Sequence, residues 1–146
     1  MTTLSKIRLL ACTGLLLATA ACASEPSVVP LTAALSSKQE VPPNLAGGGG
    51  DAAISYDKAT KRMSWTVSYY SLTGPLTGAH FHGPAASNAN APVVVPMTLG
   101  PSPLTGWATL TETQEADLLA GRWYVNLHTP THAAGELRGQ VRQIRQ

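Results

Sequence analysis

The sequence predicts an all-β fold, an antiparallel β-sandwich with one short helix in a loop. Three observations carry this. Seven or so short segments alternate apolar and polar residues with a period of two. Gly, Pro, Asp or Lys punctuates the ends of most of them. A single stretch, Thr113 to Gly121, has helical character. Many short strands with turn signals between them read as two packed antiparallel layers around one core.

The first 23 residues read as an address rather than as part of the fold. Lys6 and Arg8 form a positive start, and Leu9 to Ala21 is an apolar run too short to span a bilayer. It ends in Ala18-Thr-Ala-Ala-Cys22, a secretory signal with a lipobox in which Thr19 stands where Leu is usual. Lipidation of Cys22 would make it the mature N-terminus and tie the protein to a membrane. Plain Ala-x-Ala cleavage is the competing reading. Cys12 leaves with the leader, so Cys22 is otherwise an unexplained thiol and no disulfide supports the domain. Residues 24–30 read as a tether and residues 31–143 as the domain. The expected location is the periplasm or outer cell envelope.

Charge excludes one class of partner. The chain has 10 Lys and Arg against 8 Asp and Glu, and removing Lys6 and Arg8 leaves 8 against 8. No basic cluster occurs, so a nucleic-acid partner is not expected, because phosphate neutralisation needs a basic patch.

Within the domain, Leu31 to Leu35 alternates as a first strand and Gln39 to Pro43 is a Pro-stiffened loop. Gly47 to Gly50 is a flexible entrance to a second strand, Ala52 to Tyr56. No helix and Lys follow those glycines, so they do not form a phosphate-binding loop. Asp57 to Lys61 is a polar turn. Met63, Trp65, Val67 and Tyr69 then share one face of the strongest strand. Thr77 to Phe81 is a strand broken by Gly83-Pro84, and Ala85 to Ala91 is a small-residue loop. Pro92 to Met97 is a Pro-bounded edge strand. Gly106 to Thr111 follows, then the helix, with Thr113 as its cap and Gly121 as its stop. Trp123 to His128 and Glu136 to Gln143 complete the set.

Four separated motifs occur in order: Leu35-Ser-Ser-Lys-Gln-Glu-Val-Pro-Pro43, Leu72-Thr-Gly-Pro-Leu-Thr-Gly-Ala-His-Phe-His-Gly-Pro84, Ala120-Gly-Arg-Trp-Tyr-Val-Asn-Leu-His-Thr129 and Gly135-Glu-Leu-Arg-Gly-Gln-Val141. Together they resemble the CHRD (chordin) domain family, as found singly in bacterial secreted proteins. The resemblance runs from about Leu31 to Val141. It implies an immunoglobulin-like, Greek-key sandwich and no settled enzymatic activity. The function it suggests is a non-enzymatic binding or structural module of the cell envelope, with a protein or small ligand as partner. A second resemblance is narrower. Gly78-Ala-His-Phe-His82 is similar to the stretch in which copper-zinc superoxide dismutases present two copper ligands. The further histidines, the aspartate and the disulfide of that family have no counterparts here.

The histidines are the candidate site. His80 and His82 lie two apart on a strand, so they point the same way with Cα atoms about 6.5 to 7 Å apart. In Trp123 to His128 the same alternation puts Trp123, Val125 and Leu127 on the core face and Tyr124, Asn126 and His128 on the other. If the two strands pair, His80, His82 and His128 converge on one outer surface. Three imidazoles suit copper(II) or zinc, with Asn126, Glu136 or a backbone carbonyl orienting the rings. The plainer reading is that the histidines pin loops, with Glu136 pairing with His80, His82 or Arg138. His132 reads as solvated.

Other constellations are structural on their face. No catalytic residue stands out: there is no Gly-x-Ser-x-Gly elbow. Glu112, Glu115 and Asp117 are acids at a helix start. Trp65, Trp107 and Trp123 read as core rather than as a carbohydrate platform. Arg138 is expected to pair with Asp51 or with neighbours of Glu136. The leader generates a direct test. Mass spectrometry of protein from the membrane fraction should show Cys22 carrying two or three acyl chains. An unmodified N-terminus at Ala21 or Ser24 in the soluble fraction would refute lipidation.

Overall fold

Alternation along β3 (Arg62–Tyr70) buries Met63, Trp65 and Val67 and leaves Arg62 and Thr66 in solvent. β1 (Val28–Ser36) does the same with Leu31, Ala33 and Leu35, and β2 (Gly49–Asp57) with Ala52, Ile54 and Tyr56. The computed structural model describes residues 27–144. The leader, Cys22 and the start of the tether lie outside the described residues. β1 begins at Val28, three residues inside the stretch read as tether, and Val28 to Pro30 pair with Asp57 to Ser55.

The remaining elements are β4 (Gly78–His82), β5 (Val93–Pro96), β6 (Leu104–Thr109), α1 (Glu112–Leu119), β7 (Tyr124–His128), β8 (Leu137–Gln140) and β9 (Arg142–Gln143). All the strand pairs are antiparallel. The hydrogen-bonded order is β5-β4-β7-β8-β1-β2-β3-β6, with β9 also on β1. Two four-stranded halves are visible in that order. They join at one seam, where β8 meets β1 through the single pair Ser36 and Arg138. The chain passes from half to half at the β3–β4, β5–β6 and β6–β7 connections, which folds the continuous sheet over one core. The all-β fold with one short helix is as the sequence predicts.

Aromatic rings bridge the halves. Phe81 on β4 meets Trp65 on β3 edge-on, with centroids 5.2 Å apart, and Trp123 at 6.1 Å. Phe81 and Trp123 are fully buried, with Leu31, Val67, Val125, Leu127 and Leu137 around them. Trp107 departs from the sequence expectation. It is 59 % exposed, with the Arg62 guanidinium 4.3 Å from its ring centroid. The register explains this. Trp65 lies opposite Gly106, and the absent side chain there makes room for the indole, so Trp107 on the next residue must point outward.

Two local expectations also shift. The helix is capped by Thr111, not Thr113. The Thr111 hydroxyl accepts from Gln114 N at 3.2 Å, and Gln114 Oε1 accepts from Thr111 N at 3.0 Å. Such a box needs Glu or Gln three residues after the cap, and Gln114 stands in that relation to Thr111. Further, β7 and β8 are buried on both faces. The segment from Gly83 to Pro92 folds over their outer side, so polar residues there are enclosed rather than solvated. A fold held by the aromatic bridge has a clear signature in urea denaturation. Phe81→Ala should cost about 3 to 5 kcal/mol. Trp107→Ala should stay within about 0.5 kcal/mol of wild type.

Candidate metal centre

β4 and β7 pair in the register that brings the histidines together. Gly78 lies opposite His128, His80 opposite Asn126 and His82 opposite Tyr124. Ala79 and Phe81 face the core, so His80, His82 and His128 share the outer side. One ring nitrogen from each lies within 4.8 Å of the other two. Gly78 leaves room for this. A Cβ there would approach His80 Cε1 at 3.1 Å and His128 Cδ2 at 3.2 Å.

Main-chain carbonyls aim two of the rings. His82 Nδ1 lies 2.9 Å from Ala91 O, and His128 Nδ1 lies 3.1 Å from Ala133 O. A carbonyl only accepts, so both Nδ1 atoms carry protons and both Nε2 atoms present bare lone pairs. His128 Nε2 faces His80 Nδ1 at 3.3 Å. His82 Nε2 is buried and has no hydrogen-bond partner among the described residues. Burial lowers the pKa of His80, and the neighbouring His128 and His82 lower it further. Burial also lowers that of His82. The Ala91 carbonyl opposes the shift, while His128 and Arg138 reinforce it. Both rings therefore favour the neutral form that ligates metals.

Of the predicted orienting groups, the backbone carbonyls fill the role. Glu136 is not bonded to a histidine or to Arg138. It is fully buried, accepting from Thr73 N at 2.8 Å, Thr73 Oγ1 at 2.6 Å and Thr129 Oγ1 at 2.5 Å. Burial raises its pKa, but the three hydrogen bonds, together with the nearby His132, more than offset this and leave it lowered. Asn126 is not bonded to the rings either. It sits beside Glu40 under Gly135, where a Cβ would strike Asn126 Oδ1 and both Glu40 carboxylate oxygens. His132 stays outside the cluster, in the turn after Thr129.

Two residues to which the sequence assigns no part in the site, Tyr124 and Arg138, build the wall behind His82. The Tyr124 ring stacks on His82 with centroids 4.9 Å apart and planes within 4° of each other. The Arg138 guanidinium carbon lies 3.6 Å from the Tyr124 ring centroid. Arg138 pairs neither with Asp51 nor with neighbours of Glu136. It donates to Asn90 Oδ1 at 3.0 Å, Ala89 O at 2.8 Å and Ala86 O at 3.2 Å. One signal was available. Arg138 and Gln140 alternate with Leu137 and so face the same outer side as Tyr124.

Glu40 lies 5 % exposed near this cation. Burial pushes its pKa up to about 7, against the Arg138 charge, the Asn126 amide and the Val41 N–H, which all pull it down. An acid whose folded pKa exceeds its unfolded value holds extra protons when folded. Its contribution to stability therefore falls as pH rises from 4.5 towards about 7. Urea unfolding at pH 5 and pH 8 should show that loss in the wild type and a smaller loss in Glu40→Gln. Equal pH dependence in the two proteins would contradict this assignment.

The CHRD domain family model matches residues 31–141. Comparison with curated proteins and with solved structures gives no match. The matched span runs from the middle of β1 to the residue before β9 and includes all three clustered histidines, Tyr124 and Arg138. The chain therefore belongs to the CHRD domain family.

Proposed function

We propose that this CHRD-domain protein is an exported, lipid-anchored binding module of the cell envelope, without enzymatic activity of its own. We further propose that it binds a copper or zinc ion through His80, His82 and His128. One observation carries the metal reading. Three imidazole nitrogens lie within 4.8 Å of one another, and carbonyls fix two of the rings with Nε2 bare. Tetrahedral ligands with bonds of about 2.1 Å stand about 3.4 Å apart. The His80–His128 contact at 3.3 Å already has that spacing. The orphaned His82 Nε2 fits the same purpose, because a buried acceptor without a partner is costly. Imidazoles without a carboxylate suit copper and zinc rather than calcium or magnesium.

The 3.3 Å contact also favours a second reading. There His80 simply donates to His128, and the carbonyl bonds tie the loops to β4 and β7. Elemental analysis and calorimetric titration with copper(II) and zinc separate the two. The metal reading expects one ion per chain. It expects a loss of at least about a hundredfold in affinity in His80→Ala/His82→Ala, about 2.7 kcal/mol. His132→Ala should bind as wild type does. Absence of binding, with those substitutions only lowering the melting temperature, would establish the loop-pinning reading instead.

A further inference from the structure

A column of three side chains crosses adjacent strands behind the histidines: Arg138 on β8, Tyr124 on β7 and His82 on β4. Arg138 and Tyr124 are each 1 % exposed, and His82 is 8 % exposed. The column reaches His82 by two routes. One is the stack itself. The other runs through the loop. Arg138 holds Ala86, Ala89 and Asn90, and the next residue, Ala91, offers the carbonyl that fixes His82 Nδ1. Tyr124 Oη closes this arrangement, accepting from Ala91 N at 3.1 Å and lying 3.3 Å from Ala91 O.

The charge in the column is not neutralised by contact. The ion pairs among the described residues are Lys61–Glu112 and Arg122–Asp117. Glu40 is the acid whose field reaches Arg138, and it is only partly ionised near neutral pH. The clustered ligands themselves contain no carboxylate. An ion held there would meet neutral donors in front and a fixed, poorly screened cation behind. Coulomb repulsion from that cation grows with the charge of the ion, so it penalises a divalent ion about twice as much as a monovalent one.

We infer that Arg138, acting through Tyr124 and Ala91, is a positioning residue for His82 and biases this site toward monovalent over divalent copper. The inference rests on the metal reading for its second half, while the positioning of His82 stands on the metal-free protein. Two readouts keep these apart. In the metal-free protein, NMR should find the His82 ring protons shifted upfield by the Tyr124 ring and its Nδ1 proton protected from exchange. Arg138→Met should weaken both signatures and leave His132 unchanged. In the metal-bound protein, the ratio of copper(I) to copper(II) affinity should fall about tenfold in Arg138→Met. It should hold within a fewfold in Arg138→Lys, which keeps the charge but not the fork.

Should Arg138→Met not fold, Tyr124→Leu carries the positioning test, with Tyr124→Phe as the variant that keeps the stack. Arg138→Gln then carries the charge test. Unmoved His82 resonances in the folded variants would overturn the positioning role. An unchanged affinity ratio in the charge-removing variant would overturn the bias. If wild type binds no copper, the metal reading and the bias fall together, and the metal-free spectra alone decide the positioning role.

Discussion

Taking a guanidinium out of water costs several kcal/mol unless its N–H groups find acceptors, and Arg138 is 1 % exposed with no carboxylate in contact among the described residues. Its acceptors are two carbonyls and one amide oxygen on a single loop, and an aromatic face lies beneath it. That loop cannot leave without stranding the charge. Its closure is what buries both faces of β7 and β8. Arg138 is also the residue through which β8 pairs with β1, so the same position helps to join the two halves of the sheet, with β9 pairing further along β1. Seam, loop and histidine wall therefore share one residue.

The outer layer is polar for the same reason. Gln140 donates to Ala85 O at 3.1 Å and Gly121 O at 2.8 Å, and Asn90 donates to Val41 O at 2.8 Å. A loop of Ala, Ser and Asn has little apolar surface to bury. The carbonyls of Ala85, Ala86, Ala89 and Ala91 are instead met by Gln140, Arg138 and His82 on the sheet. Such matching gives little gross burial but strong geometric definition, because each enclosed carbonyl left unpaired would cost about 1 to 3 kcal/mol.

Alternation made the inner layer legible. Met63, Trp65 and Val67 could be assigned from period alone, and so could the shared face of His80, His82 and His128, given that β4 and β7 pair. What stayed hidden was set by contacts distant in sequence. Arg138 and the loop it holds are 48 to 52 residues apart. Glu136 looked like a partner for histidines because it is charged and close to them in sequence. The threonines that hold it, Thr73 and Thr129, become neighbours only once the β3–β4 and β7–β8 connections meet. Trp107 escapes the alternation argument because its direction depends on Gly106 opposite Trp65, a pairing that neither strand reveals alone.

The tautomers bring the histidine cluster to a single proton. His128 Nδ1 must donate to Ala133 O, so its Nε2 can only accept, and His80 Nδ1 must supply the proton between them. His82 Nδ1 is committed to Ala91 O, which leaves its Nε2 with nothing to accept. The metal-free cluster thus has three rings, one shared proton and one unsatisfied lone pair. Transfer of the His80 proton to its own Nε2 would leave Nδ1 bare, so that each ring would offer one bare nitrogen. It disturbs neither carbonyl bond. The two tautomers of a neutral imidazole differ little in energy, so the proton shift itself is not an obstacle to offering three donors. The loop-pinning bonds are therefore common to both readings of the cluster, and only the presence of an ion separates them. The carbonyl bonds that tie the loops down are the same bonds that leave Nε2 of His82 and His128 bare.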